Sequence, residues 1–215
     1  GKGATDVGSS RWLFLGPVGF QPSELAKVTI CFVLASYLSR CDIKKFYPGF
    51  FFSTALIGIF AVLVLIEPDL GTTVVVGGTG FVLLFVAGDD LLYMAILAAG
   101  GLSMGIFSIL NSSYQRVRWE IFKNPMSDPL GFGYQTIQAL YAIGSGGLTG
   151  VGLGQSMQLY WIPEKHTDFI FSILSEELGF LGAATVVVLF IILMWRGFEI
   201  AYRAPSKYMR YLAVG

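Results

Sequence analysis

Apolar residues in this chain come in long unbroken runs, not in short alternating stretches. Such runs cover 22–38, 50–66, 70–87, 91–110 and 169–195, each near the length of about 17 to 25 residues that a helix needs to cross a bilayer. A segment isolated in hydrocarbon must satisfy its own backbone hydrogen bonds, which favours helices. A barrel would instead need alternating strands of about ten residues, and these runs are too long and too uniformly apolar for that. The expected fold is all-α: a polytopic transmembrane helix bundle with about five spans. Residues 1–215 read as a single integral-membrane domain. The stretch 111–167 is too polar and too rich in Gly and Pro to be a span, so it reads as a long extracytoplasmic loop.

Composition agrees with this pattern. The chain is 54% hydrophobic and 13% charged, where a soluble domain carries about a quarter charged residues. The formal net charge is zero and no polybasic run occurs, so no nucleic-acid partner is expected. Cys31 and Cys41 are too few for a disulfide framework and read as free thiols. The chain opens in mid-loop, at Gly1-Lys2-Gly3-Ala4-Thr5-Asp6, and reads as an internal segment of a longer membrane protein. Alternating spans put Arg40, Lys44, Lys45, Arg196, Arg203, Lys207 and Arg210 in short turns and a tail on one side. The cations of the other side are dispersed over much longer stretches, so the first side is the cytoplasmic one and the loop 111–167 faces outward. Trp12, Trp119, Trp161 and Trp195 fall near the expected interfaces, as an aromatic belt would place them.

Polar groups inside or beside these runs are the candidate chemistry. The last span is entered through Pro163-Glu164-Lys165-His166-Thr167-Asp168-Phe169-Ile170-Phe171. On a helical wheel Ser172, Ser175, Gly179 and Gly182 lie within about 40° of Asp168. That is a small-residue stripe suited to close helix packing, with a carboxylate at its end. Two readings of Asp168 stand at this level. It presents a carboxylate at a cavity mouth, or Thr167 caps the helix and the acid complements the helix dipole. Glu176 and Glu177 lie deeper, by about 12 Å, and are expected to be paired with a cation or a backbone group. Glu24 and Lys27, three apart near the start of the first span, can pair, or Lys27 can neutralise a phosphate. Asp69, in Glu67-Pro68-Asp69-Leu70-Gly71, reads as a helix cap. His166 is the sole histidine; a helix would set it about 200° from Asp168, so no local dyad is expected. No cluster has metal-ligand spacing. The glycine-dense stretch 144–156 is a flexible linker, a packed re-entrant turn or a backbone cradle for phosphate.

An ordered series of motifs resembles the SEDS family (FtsW/RodA/SpoVE), in its wording the FtsW/SpoVE branch. It comprises Arg11-Trp12, Gln21-Pro22-Ser23-Glu24-Leu25-Ala26-Lys27, Glu67-Pro68-Asp69-Leu70-Gly71-Thr72, and Gly133-Tyr134-Gln135 with Gln138. It continues with Gly152-Leu153-Gly154-Gln155-Ser156 and the acid-bearing turn above, followed by Glu176-Glu177-Leu178-Gly179. The resemblance covers essentially the whole chain. The family usually has Gln where this chain has Glu67, and its members have about ten spans, of which this chain would hold the middle five.

The resemblance implies a peptidoglycan glycosyltransferase that polymerises lipid II into glycan strands at the outer face of the bacterial plasma membrane. Asp168 matches the family's catalytic aspartate and would act as general base. Arg11 and Lys27, with Arg116, Arg118 and His166 behind them, would bind the substrate; Glu24, Asp69, Glu176 and Glu177 would support the site. A divalent cation (Mg or Mn) is expected without a dedicated protein cage. The implied partner is a class B penicillin-binding protein. Two other functions compete: a lipid II flippase or transporter, and a non-catalytic membrane scaffold of the division machinery.

Overall fold

The computed structural model describes residues 13–15, 18–41, 46–66, 69–158, 161 and 168–215. The described chain is helical apart from a small antiparallel ribbon, β1 (Leu13–Leu15) and β2 (Val18–Phe20), with Leu13 opposite Phe20 and Leu15 opposite Val18. Eight helices follow: α1 Pro22–Arg40, α2 Phe51–Ile66, α3 Leu70–Ala87, α4 Leu91–Asn111, α5 Ser113–Lys123, α6 Tyr134–Ser145, α7 Ile170–Arg203 and α8 Lys207–Val214. The five expected runs are helices with nearly the expected limits, α7 continuing past Trp195 to Arg203. Of these, α3, α4 and α7 are long and apolar enough to cross a membrane and α2 is apolar but shorter, while α1, which carries Glu24, Lys27 and Arg40, is not among them.

The helix limits follow from local chemistry. Pro22 opens α1, where its missing N–H costs nothing. Asp69 caps α3 by accepting the Thr72 N–H at 3.0 Å. Gly88 ends α3 with φ 85°, a left-handed turn that glycine reaches without steric penalty. A π-helical turn, Phe46–Phe50, with Tyr47 extended, leads into α2.

The described contacts gather in two compact units. In the first, Gly1–Gly105 with Arg196–Gly215, α1 packs on α2, α3 and α8 around Ile30, Leu34, Ala35, Leu38, Val76, Leu83, Leu84 and Tyr211. Gly80 lets α3 lie close on α2, because a Cβ there would run into the Ile57 side chain. In the second unit, Ile106–Trp195, the stretch expected to be a loop instead carries α5, a 3-10 turn at Pro125–Ser127, and α6. The reason is visible afterwards: Ser112 caps α5 through the Gln115 N–H, and Ile137, Ala139 and Ala142 give α6 one buried face.

Candidate functional site

The second unit is organised around the N-terminal half of α7. Asp168 sits in the turn just before the helix and is exposed. Its neighbour Phe169 points the other way, packing on Ile173 and on Ala142 of α6. The Phe169 carbonyl accepts the N–H groups of Ser172 and Ile173 at 3.0 and 3.3 Å. One residue is therefore nailed down while the next is presented to the outside. Among the described residues no hydrogen bond or ion pair engages the Asp168 carboxylate. Thr167 and His166 lie outside the described residues.

The small-residue stripe along α7 is not one continuous helical face. Gly179 has φ 67° and ψ −170°, which breaks α7 after its first turns. A break frees carbonyls before it and N–H groups behind it, and inside a bilayer such groups must find protein partners. The glycine-rich segment supplies them in both directions. Val151 and Gly152 donate to the carbonyls of Glu176 and Glu177, each at 3.0 Å. In return Phe180 and Leu181 donate to the carbonyls of Gly147 and Leu148, at 2.9 and 3.1 Å. Of the three roles left open for 144–156, the packed turn is the one found. Backbone lies directly on backbone here: a Cβ on Gly150 would meet the Glu177 carbonyl, and one on Gly179 would meet Leu148 and Gly150 main chain.

Glu176 extends the same junction with its side chain. It is only 2% exposed. Its carboxylate accepts the Ser156 hydroxyl at 2.5 Å and the N–H groups of Met157 and Gln158 at 3.2 and 3.4 Å. Three donors compensate much of the desolvation that a buried carboxylate suffers. Glu176 thus fastens residues 156–158 to α7, as Phe169 fastens the residue that follows Asp168. Sequence reasoning saw the glycines, Ser156 and Glu176 but did not connect them; the cue was a glycine-dense stretch preceding a helix that itself contains Gly179.

Each of the other candidates has its place within one unit. Lys27 pairs with Glu24 at 2.8 Å on a solvent- or lipid-facing part of α1, an interaction weak enough to be exchanged for a phosphate. Asp69 also accepts the Thr72 hydroxyl at 2.9 Å, in keeping with a capping role. The Arg116 guanidinium donates to the Leu110 carbonyl, and Arg118 lies over the Tyr114 ring, 5.3 Å from its centre. The Glu177 side chain is half-buried. Arg11 and Glu67 lie outside the described residues. Among the described residues no three His, Cys, Asp or Glu side chains come together as a metal site. Beside the break, Ile143, Gly147, Phe171, Ser175, Phe180, Ala183 and Val187 line an apolar groove of about 540 Å³.

Residues 2–215 match the FtsW/RodA/SpoVE family, described as "Cell cycle protein". Stage V sporulation protein E of Bacillus subtilis (strain 168) is 43% identical over 218 residues, which cover 100% of this chain and 60% of that protein. Peptidoglycan glycosyltransferase MrdB of Escherichia coli (strain K12) is 40% identical, over 99% of this chain and 59% of the relative. The chain thus spans little more than half the length of these relatives. Among solved structures, a chain of a peptidoglycan synthase complex that coordinates polymerization and crosslinking superimposes with a TM-score of 0.73 at 32% identity, covering 99% of this chain and 60% of that one. The rod shape determining protein RodA of Thermus thermophilus gives 0.60 at 27% identity, over 99% and 54%.

Proposed function

This chain belongs to the FtsW/RodA/SpoVE family of multi-pass membrane proteins, and from that premise we propose that the whole protein polymerises lipid II at the outer face of the plasma membrane, with Asp168 as general base. The observation that carries the reading is the exposed Asp168 carboxylate at the start of a membrane helix, engaged by no hydrogen bond or ion pair among the described residues and adjoining the packed Phe169. The acceptor sugar hydroxyl gives its proton to Asp168 as its oxygen bonds to the anomeric carbon of the donor. The bond from that carbon to the lipid pyrophosphate breaks, and the pyrophosphate leaves with the electron pair. A single displacement inverts the anomeric centre and needs only this one base.

Charge on the leaving pyrophosphate calls for cations. Lys27 is the described candidate and Arg11 the other; Arg116 and Arg118 are already engaged within α4 and α5. The groove beside Phe171 and Ser175 suits an isoprenoid tail in both its polarity and its position one to two turns from Asp168. Since no three His, Cys, Asp or Glu side chains gather among the described residues, Mg or Mn at Asp168 would draw its remaining ligands from the substrate phosphates and water. The excess of cations in the turns opposite the Asp168 end supports the outward orientation. Similarity to a chain of a peptidoglycan synthase complex supports a class B penicillin-binding protein as partner.

The test is lipid II polymerisation by the full-length protein. Asp168→Asn is expected to reduce glycan synthesis by about a hundredfold or more; undiminished synthesis would overturn the assignment. Lipid II flipping in vesicles without polymer would replace it with a transporter. Growth and partner recruitment that ignore Asp168→Asn would leave a scaffold.

A further inference from the structure

Outside the α7 junction, the most unusual surface is α5 with the turn that follows it. α5 begins two residues after α4 ends, its N-cap Ser112 adjoining Asn111, and the Arg116 side chain turns back to the Leu110 carbonyl at the end of α4. That bond sets α5 at the level where a membrane-crossing helix stops. Ile121 is buried against protein on one face, and Gln115 is buried at the start of another. One and two turns beyond Gln115 that second face opens: Trp119 and Phe122 stack with ring centres 5.8 Å apart, yet both are exposed, Phe122 to 76%. Met126, Leu130 and Phe132, in the turns that follow α5, are exposed as well, Leu130 to 91%. Around the helix the aromatic pair lies between Arg118 on one side and Arg116 and Lys123 on the other, with Glu120 the sole acid of α5. Lys123 also lies over the Trp119 ring, 5.1 Å from its centre.

Aromatic residues flanked by long cationic side chains, on a helix starting at headgroup depth, have the form of a helix lying in the membrane plane. The rings sink to the acyl boundary, while Arg and Lys keep their stems in the apolar layer and their charges among phosphates. We propose that α5 is an interfacial anchor whose Trp119–Phe122 face is covered by phospholipid, with Arg116, Arg118 and Lys123 meeting anionic headgroups. This assigns the two arginines to the lipid surface, not to the reacting substrate. It depends on α4 crossing the bilayer but not on the polymerase activity or on Asp168.

Full-length protein and its Trp119→Phe variant, reconstituted in vesicles of phosphatidylcholine and phosphatidylglycerol, test this by difference fluorescence. The Trp119 component should lose about half its intensity or more when the lipids carry bromine near the top of their acyl chains, and should resist aqueous iodide. Phe122→Ser, with Trp119 retained, should shift that component to the red as the helix rises. Quenching by iodide and not by bromolipid would show a solvated face and overturn the proposal. Resistance to both quenchers would show a face covered by protein, and would overturn it equally.

Discussion

The α1–α2–α3 core and the α7 junction solve the same problem by opposite means. In the core, helices meet through side chains: Leu34, Leu83 and Leu84 fill the space, and the tightest approach, at Gly80, is against the flexible Ile57 side chain. At the junction, main chain meets main chain, and four reciprocal hydrogen bonds replace those that the break at Gly179 removes. Side-chain packing can be repaired by another side chain. Backbone docking cannot, because the obstacle to any added Cβ is a carbonyl or an amide. The buried Glu176 carboxylate belongs to the second arrangement, in the unit where Phe169 packs beside Asp168. Rigid, substitution-intolerant backbone lies in the unit that carries Asp168, the proposed base; adaptable packing lies where the bundle merely has to hold.

The sharpest way to break this contrast is at the glycines. Gly150→Ala and Gly179→Ala each force a side chain into a positive φ and onto main-chain atoms. Each should destabilise by about 3 kcal/mol or abolish folding, read as thermal unfolding in detergent micelles. Gly144→Ala, where a Cβ meets nothing within 4 Å, should be neutral or raise stability by about 0.5–1 kcal/mol. Tolerance at Gly150 and Gly179 would mean that the reciprocal bonds do not matter.

Next in size is the clamp. Glu176→Ala leaves the Ser156 hydroxyl and two backbone N–H groups without their acceptor, at a cost of about 1–3 kcal/mol. Glu176→Gln, which keeps one carbonyl oxygen, should lose less. Both should increase protease cleavage within 156–168 before the rest of the chain unfolds. In the core, Gly80→Ala should cost about 1–3 kcal/mol, and adding Ile57→Ala should restore much of the loss. No second-site side-chain change should rescue Gly150→Ala in this way. Rescue there, or none at Gly80, would erase the distinction.

The smallest effect concerns pH. Asp89, in the turn after α3, is buried, and its Oδ2 has no hydrogen-bond partner among the described residues. Desolvation pushes its carboxyl above the usual carboxylate range, Asp90's charge adds to this, and the Asp90 N–H opposes it. The folded chain thus holds this proton more tightly than the unfolded one. Its contribution to stability is full below the unfolded pKa and is lost as pH rises through the folded one. Asp89→Asn should raise the unfolding temperature slightly near pH 7 and flatten its dependence on pH above the ordinary carboxylate pKa of about 4.

Much of this was legible beforehand. Apolar runs of bilayer length leave a chain few choices, so α1 to α4 and α7 lie where hydropathy put them. Pro22 and Asp69 act at the helix starts where such residues belong. The Glu24–Lys27 pair follows from spacing alone. The helices inside 111–167 were not legible, because α5 and α6 are short and lean on capping and tertiary burial more than on a long apolar run. Equally hidden was Gly179, since a wheel drawn over 169–195 assumes the regular helix that this glycine interrupts.

Residue order alone thus specified the apolar helices, most of their limits and the acid at the mouth of α7, because these depend on neighbours near in the chain and on the bilayer as solvent. Which role the 144–156 glycines play and what donates to the carboxylate of Glu176 depended on contacts between segments 20 to 33 residues apart. No local rule encodes them: an unsatisfied carbonyl at a helix break will take any donor, and only the folded chain determines which one arrives.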